Sequence, residues 1–258
     1  MKNLFDLSGK VALVTGGSSG LGVQFAKALA RQGADVAICA RRMERLEAVK
    51  KEIEALGVRC EAYKCDVLNV EDIKAMAAAV EADFGRIDIL VNNAGVGDAG
   101  PAESMTDESW HRVIGTNLDA VYFCAREVGK VMLKNGYGKI INIGSLHSEV
   151  VMSPNTWPVT AYAAAKGGVK MLTKGLAAEW AQRGITVNAI GPAYFSSEMT
   201  SAILDAGDAF GAIAGAYCPM GRAGREGELD GALIYFASDA SSYTTGQLLC
   251  VDGGWTAI

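Results

Sequence analysis

Short apolar runs alternate with longer amphipathic ones along nearly the whole chain. The runs 10–15, 35–40, 59–65, 87–92, 139–143, 185–190 and 247–251 read as strands. Between them, 21–32, 43–56, 70–84, 106–134, 160–183 and 226–238 read as helical stretches, with 106–134 covering one or two helices. The strands are apolar on both faces, which requires cover on both sides. Several helical runs stop at a glycine, as at Gly33, Gly57 and Gly85, where a left-handed cap is cheap. This alternation predicts an α/β chain with a doubly wound, Rossmann-like, seven-stranded parallel sheet and helices on both faces. No linker or internal repeat divides it, so 1–258 is expected to form a single domain. The one long irregular stretch is 194–225, rich in Gly, Ala and Ser, and it is expected to serve as a substrate loop.

Composition removes several classes of function. Net charge is −5 and the longest basic run is Arg41-Arg42, which argues against nucleic acid. No segment nears 18 uninterrupted apolar residues, so no membrane-spanning helix is expected. The start of the chain lacks the apolar core of a signal peptide. Six cysteines without CxxC spacing suit reduced thiols in a cytoplasmic protein. With only His111 and His147 available, in unrelated segments, no metal site is expected.

Three features carry chemistry. The first strand runs into Thr15-Gly16-Gly17-Ser18-Ser19-Gly20-Leu21-Gly22, and a helix follows at once. Such a turn lets backbone approach a pyrophosphate at a helix N-terminus, which points to a dinucleotide. The second strand ends Ala40-Arg41-Arg42. An acidic residue there would hold the ribose hydroxyls of NAD, whereas arginine suits a 2′-phosphate, so NADP(H) is expected over NAD(H). The alternative is that Arg41 and Arg42 are solvated residues opening the next helix. Finally, Tyr162 alone among eight tyrosines has a lysine four residues on, Lys166. On a helix the two share a face, and a cation there is expected to lower the phenol pKa from about 10.

Further segments complete a resemblance. Asn92-Asn93-Ala94-Gly95 ends the fourth strand, Asn117 sits in Gly115-Thr116-Asn117-Leu118, and Ser145 closes the fifth strand 17 residues before Tyr162. With the glycine turn and Tyr162-x3-Lys166 they resemble the short-chain dehydrogenase/reductase family over the whole chain. The segments 156–162 and 170–173 are most similar to its gluconate 5-dehydrogenase branch. The resemblance implies an NAD(P)-dependent oxidoreductase that interconverts a secondary alcohol and a ketone. Tyr162 would be the general acid and base, Lys166 would tune it and hold the nicotinamide ribose, Ser145 would hold the substrate oxygen, and Asn117 would position a relay water. Gly16, Ser18, Ser19, Gly20, Leu21, Gly22, Asp66, Val67, Asn93, Ala94, Gly95, Pro192, Ala193 and Ser197 would line the cofactor. Asp66 would reach the adenine. Ala193 replaces the glycine usual after the sixth strand, which puts in doubt any backbone there that needs φ above zero. His147, Asn155, Trp157 and Tyr194 are candidates for the substrate wall. His147 could equally face water, and Trp157 could pack the loop. A sugar acid or polyol is the favoured substrate, although no arginine is obviously placed to clamp a carboxylate. The alternatives are a 3-oxoacyl thioester reductase, a hydroxysteroid dehydrogenase, or a cofactor-binding sensor on the same fold. A homotetramer is also implied.

Overall fold

The computed structural model describes residues 3–151 and 158–258. Seven strands form one parallel sheet: β1 (Val11–Thr15), β2 (Asp35–Ala40), β3 (Cys60–Lys64), β4 (Ile89–Asn92), β5 (Gly138–Ile143), β6 (Ile185–Pro192) and β7 (Leu248–Val251). Their spatial order is β3-β2-β1-β4-β5-β6-β7, with all six pairings parallel. The order reverses between β1 and β4, and there the carboxyl ends of the strands open a crevice.

The strands read as continuous apolar runs because each face of the sheet has its own core. On one face Ala12 and Val14 of β1 pack with Phe25 and Leu29 of α1 (Gly20–Arg31), Leu46 of α2 (Met43–Glu54) and Leu233 of α9 (Asp230–Ala237). Val11 and Leu13 point the other way. They meet Ile73 of α3 (Val70–Phe84), Val128 of α5 (Ala120–Asn135) and Leu176 of α6 (Thr160–Trp180). The edge strands depart from this pattern. β3 is mostly half-buried, and β7 leaves Leu249 exposed despite its apolar sequence.

The stretch 106–134 resolves into α4 (Asp107–Ile114), a π-helical turn at Gly115–Asp119, and α5. The stretch 194–225 is less irregular than expected. It carries α7 (Ser201–Leu204) and α8 (Asp208–Tyr217). Phe210 and Ala214 of α8 enter a third, smaller core with Leu146, Tyr194, Cys218 and Trp255. The reading missed α8 because Gly211 and Gly215 each cost a helix about 1 kcal/mol and no side chain caps its start. Tertiary burial of Phe210 outweighs that weak propensity. No described helix is long and apolar enough to cross a membrane.

Candidate active site

At the switch point the glycine turn is shaped by contact as well as by dihedral angle. Gly16 and Gly20 have φ of +68° and +55°. A Cβ at Gly22 would lie 2.2 Å from the Gly16 carbonyl oxygen, so only glycine lets α1 start this close to β1. Thr15 ties the turn to the end of β4. Its hydroxyl accepts from the Asn93 and Ala94 amides at 3.0 and 3.1 Å, while the Asn93 side-chain amide donates to the Thr15 carbonyl at 2.9 Å.

The turn floors a cleft of about 480 Å³ that runs from Arg41 and Arg42 at one end to Tyr162 and Lys166 at the other. Gly16, Ser18, Ser19, Gly20, Leu21, Asp66, Val67, Asn93, Ala94, Gly95, Pro192, Ala193 and Ser197 line it. Gly22 instead packs under the turn. The N-cap of α1, Ser19, makes no capping bond, and the first turn holds no acid. Its amides are therefore suited to an anion, and the arginine end adds cationic donors. These residues fit a dinucleotide diphosphate.

At the arginine end, the Arg42 guanidinium donates to Ser19 Oγ at 3.1 Å and to Glu198 Oε2 at 3.0 Å. Arg45 donates to the other Glu198 oxygen. Hydrogen bonds from Arg42 and Arg45 hold the Glu198 carboxyl down at about 2. Asp66 lines the cleft while its Oδ1 accepts from the Leu68 amide at 3.1 Å, which fixes the turn after β3.

At the other end, Tyr162 sits in the first turn of α6 with Lys166 one turn on. Lys166 Nζ donates to the Ile143 carbonyl at 2.7 Å, at the end of β5, and lies 5.5 Å from the Tyr162 ring centroid. The expected lowering of the phenol pKa is reversed. Burial raises it; a hydrogen bond with Ser145 pulls the other way, and nearby Tyr194 adds to the rise. Burial also brings the Lys166 ammonium down to about 8. The helical spacing is as expected, but the lysine spends its charge on a carbonyl, and desolvation prevails.

Ser145 is held firmly. Its hydroxyl accepts from the His147 amide at 3.2 Å, and its own amide donates to Ser148 Oγ at 3.2 Å. His147 is turned inward, with its ring edge-on to Tyr162 at 6.1 Å between centroids. Burial lowers its pKa, so it is neutral at pH 7. Its Nδ1 lies 3.2 Å from the Val150 carbonyl, which can only accept. Nδ1 must then carry the proton, which leaves Nε2 as an acceptor.

Asn117 lies in the π turn, a geometry that concentrates at functional sites. Its amide donates to the Val96 and Val113 carbonyls at 2.8 and 2.9 Å, and its oxygen accepts from the Val96 amide at 3.2 Å. The side chain thus locks the chain beyond β4. Tyr194 packs into the third core against Phe210 and Trp255. No described non-glycine residue has positive φ, so Ala193 meets no strain. Asn155 and Trp157 lie outside the described residues.

Sequence reasoning missed Thr15 as an acceptor, and it missed Arg45, Glu198 and Met199 around the cleft. Arg45 had a signal, since it lies three residues after Arg42 at the start of the predicted helix. Glu198 follows Ser197 as the acidic residue of the family pattern, but nothing in the sequence tied it to arginines 156 and 153 residues away.

Comparison with known proteins agrees with this geometry. A family model described as enoyl-(acyl carrier protein) reductase matches residues 16–256. Gluconate 5-dehydrogenase of Gluconobacter oxydans (strain 621H) is 41% identical over 254 residues, 98% of this chain and 97% of that protein. The 5-keto-D-gluconate 5-reductase of Escherichia coli (strain K12) is 38% identical over 254 residues, 98% of each chain. A crystal structure of gluconate 5-dehydrogenase from Burkholderia cenocepacia J2315, in complex with NADP and tartrate, superposes with a TM-score of 0.94. It is 39% identical and covers 99% of this chain and 98% of that one.

Proposed function

Because the chain belongs to the short-chain dehydrogenase/reductase family, we propose that it interconverts a secondary alcohol and a ketone on a sugar acid or polyol, with NADP(H). The observation that carries this reading is one cleft with arginines at one end and Ser145, Tyr162 and Lys166 at the other. When bound, the nicotinamide supplies or takes the hydride. The chain handles the proton. In reduction the Tyr162 hydroxyl gives its proton to the carbonyl oxygen, and in oxidation the phenolate takes it back. Ser145 Oγ accepts from the His147 amide and its hydroxyl is shared with Tyr162, so it would turn to donate to the substrate oxygen as charge develops there. Lys166 places a buried cation one turn from Tyr162 and would hold the nicotinamide ribose. Asn117, through the π turn, would position the relay water. His147 Nε2 would accept from a substrate hydroxyl, which suits a polyol chain better than an acyl chain. Tyr194 backs the same wall.

The description of the family model concerns acyl thioesters. Relatives matched over nearly their full length instead bear names of gluconate enzymes, and one was crystallised with tartrate, itself a hydroxy acid. NADP(H) is supported by Ala40, Arg41 and Arg42 at the end of β2 and by the NADP in that crystal. The stretch 194–225 is proposed to cover the substrate, and the six free thiols suit a cytoplasmic setting. A panel containing gluconate, 5-ketogluconate, hexitols and acetoacetyl thioesters, followed at the NADPH absorbance, tests the proposal. Turnover of sugar acids or polyols with higher kcat/KM for NADP(H) than for NAD(H) is expected. Turnover of the thioesters alone would overturn it.

A further inference from the structure

Segment 195–200 lies across the mouth of the cleft. Ser197 packs over the glycine turn: a Cβ at Gly20 would stand 3.2 Å from the Ser197 Cβ. Met199 reaches the far wall, its Cγ 3.1 Å from where a Gly97 Cβ would be. Between them Glu198 points to the adenosine end. Its Oε2 accepts from Arg42 at 3.0 Å and from the Ser19 hydroxyl at 3.2 Å, and its Oε1 accepts from Arg45. Two guanidiniums and a hydroxyl around one anion are the donors that a phosphate monoester takes.

We propose that Glu198 occupies the seat of the cofactor 2′-phosphate and weakens NADP(H) binding because it must leave before the phosphate can enter. This rests on the NADP(H) reading above. Arg42 is the N-cap of α2 and Arg45 lies in its first turn, so one helix start brings both guanidiniums to the same end of the cleft. The Glu198 side chain is 55% exposed, so it can swing into water without breaking any core contact. A dianion outcompetes a carboxylate for two guanidiniums. NAD(H) has no phosphate at that position, so it leaves the pair intact. Glu198 is therefore a specificity-determining residue that reduces the preference for NADP(H), and its departure unpins 195–200 from α2.

Calorimetric titration of wild type, Glu198→Gln and Glu198→Ala with adenosine 2′,5′-bisphosphate and adenosine 5′-monophosphate tests this. Exposed ion pairs are individually weak, so both variants are expected to bind the bisphosphate about three- to tenfold more tightly. The monophosphate should change by less than about twofold, the scatter typical of exposed substitutions away from a contact. Unchanged bisphosphate affinity in the variants would overturn the proposal. Weaker affinity would overturn it too, by showing that Glu198 holds the arginines in place for the phosphate. If wild type bound the two nucleotides equally, the NADP(H) reading would fail, and the proposal with it.

Discussion

Tyr162 and Lys166 show how little helical spacing says about protonation. Four residues apart on α6, they share a face as the sequence requires. Yet Lys166 donates to the Ile143 carbonyl, and burial of the phenol raises its pKa while burial of the ammonium lowers the other. The direction of each shift depends on tertiary crowding, which spacing does not encode. The sign has a kinetic consequence. Alcohol oxidation needs the phenolate, and a raised pKa keeps that form scarce at neutral pH. For wild type, log kcat/KM for oxidation is expected to climb with a slope of about one as pH rises toward the Tyr162 pKa. Carbonyl reduction needs the phenol and should stay flat over the same range. Tyr162→Phe is expected to lose about 10²–10⁴-fold in kcat and to abolish the slope. Its NADPH affinity should stay within about twofold, because a hydroxyl lost from the reacting centre acts on the transition state. Oxidation in the variant that kept both rate and slope would mean another group carries the proton.

Elements were more legible than sites. β2 and α3 occupy the stretches that periodicity assigns, 35–40 and 70–84, because each pairs an unbroken apolar pattern with a clear stop. Gly85 closes α3 at φ +78°, and Asn69 caps its start. The glycine turn was legible too, but its tightest constraint was not. Gly22 is needed for contact with the Gly16 carbonyl rather than for its own dihedral angle. The α8 helix and the tie from Glu198 to α2 were illegible, since one depends on burial and the other on chain returning from β6. Two glycine substitutions separate these kinds of constraint. Gly22→Ala forces an overlap with backbone and is expected to cost about 1–3 kcal/mol and to weaken NADPH binding. Gly175→Ala, in the interior of α6 with open space around it, should gain up to about 1 kcal/mol and leave cofactor affinity unchanged. Thermal melts and NADPH titration of both variants check the pair. An unaffected Gly22→Ala would mean that the turn can relax.

On the scale of the whole molecule, the surface carries apolar side chains that no part of the described chain covers. Trp110 on α4 and Tyr122 on α5 are exposed, as are Met171 on α6, Leu249 on β7 and Ile258 at the C-terminus. A parallel sheet normally has both edges managed, by charge, by twist or by cover. β3 manages its edge with Glu61 and Lys64, whereas β7 offers Leu-Leu-Cys-Val. An apolar edge strand beside an exposed C-terminus suits a second copy of the chain, and the α4–α5 face suits another. Two different twofold contacts build a closed tetramer. Such an assembly would bear on catalysis, because Trp255 of the small core lies three residues from Ile258 and packs on Tyr194. Light scattering of the purified protein is expected to give a mass near four times 27.0 kDa. Leu249→Asp should split the assembly to dimers through loss of the β7 contact. It should also lower kcat, since the small core that backs the site loses its support. A monomer in wild type, or an intact tetramer in Leu249→Asp with unchanged kcat, would show that β7 is a free edge and that the site is complete within one chain.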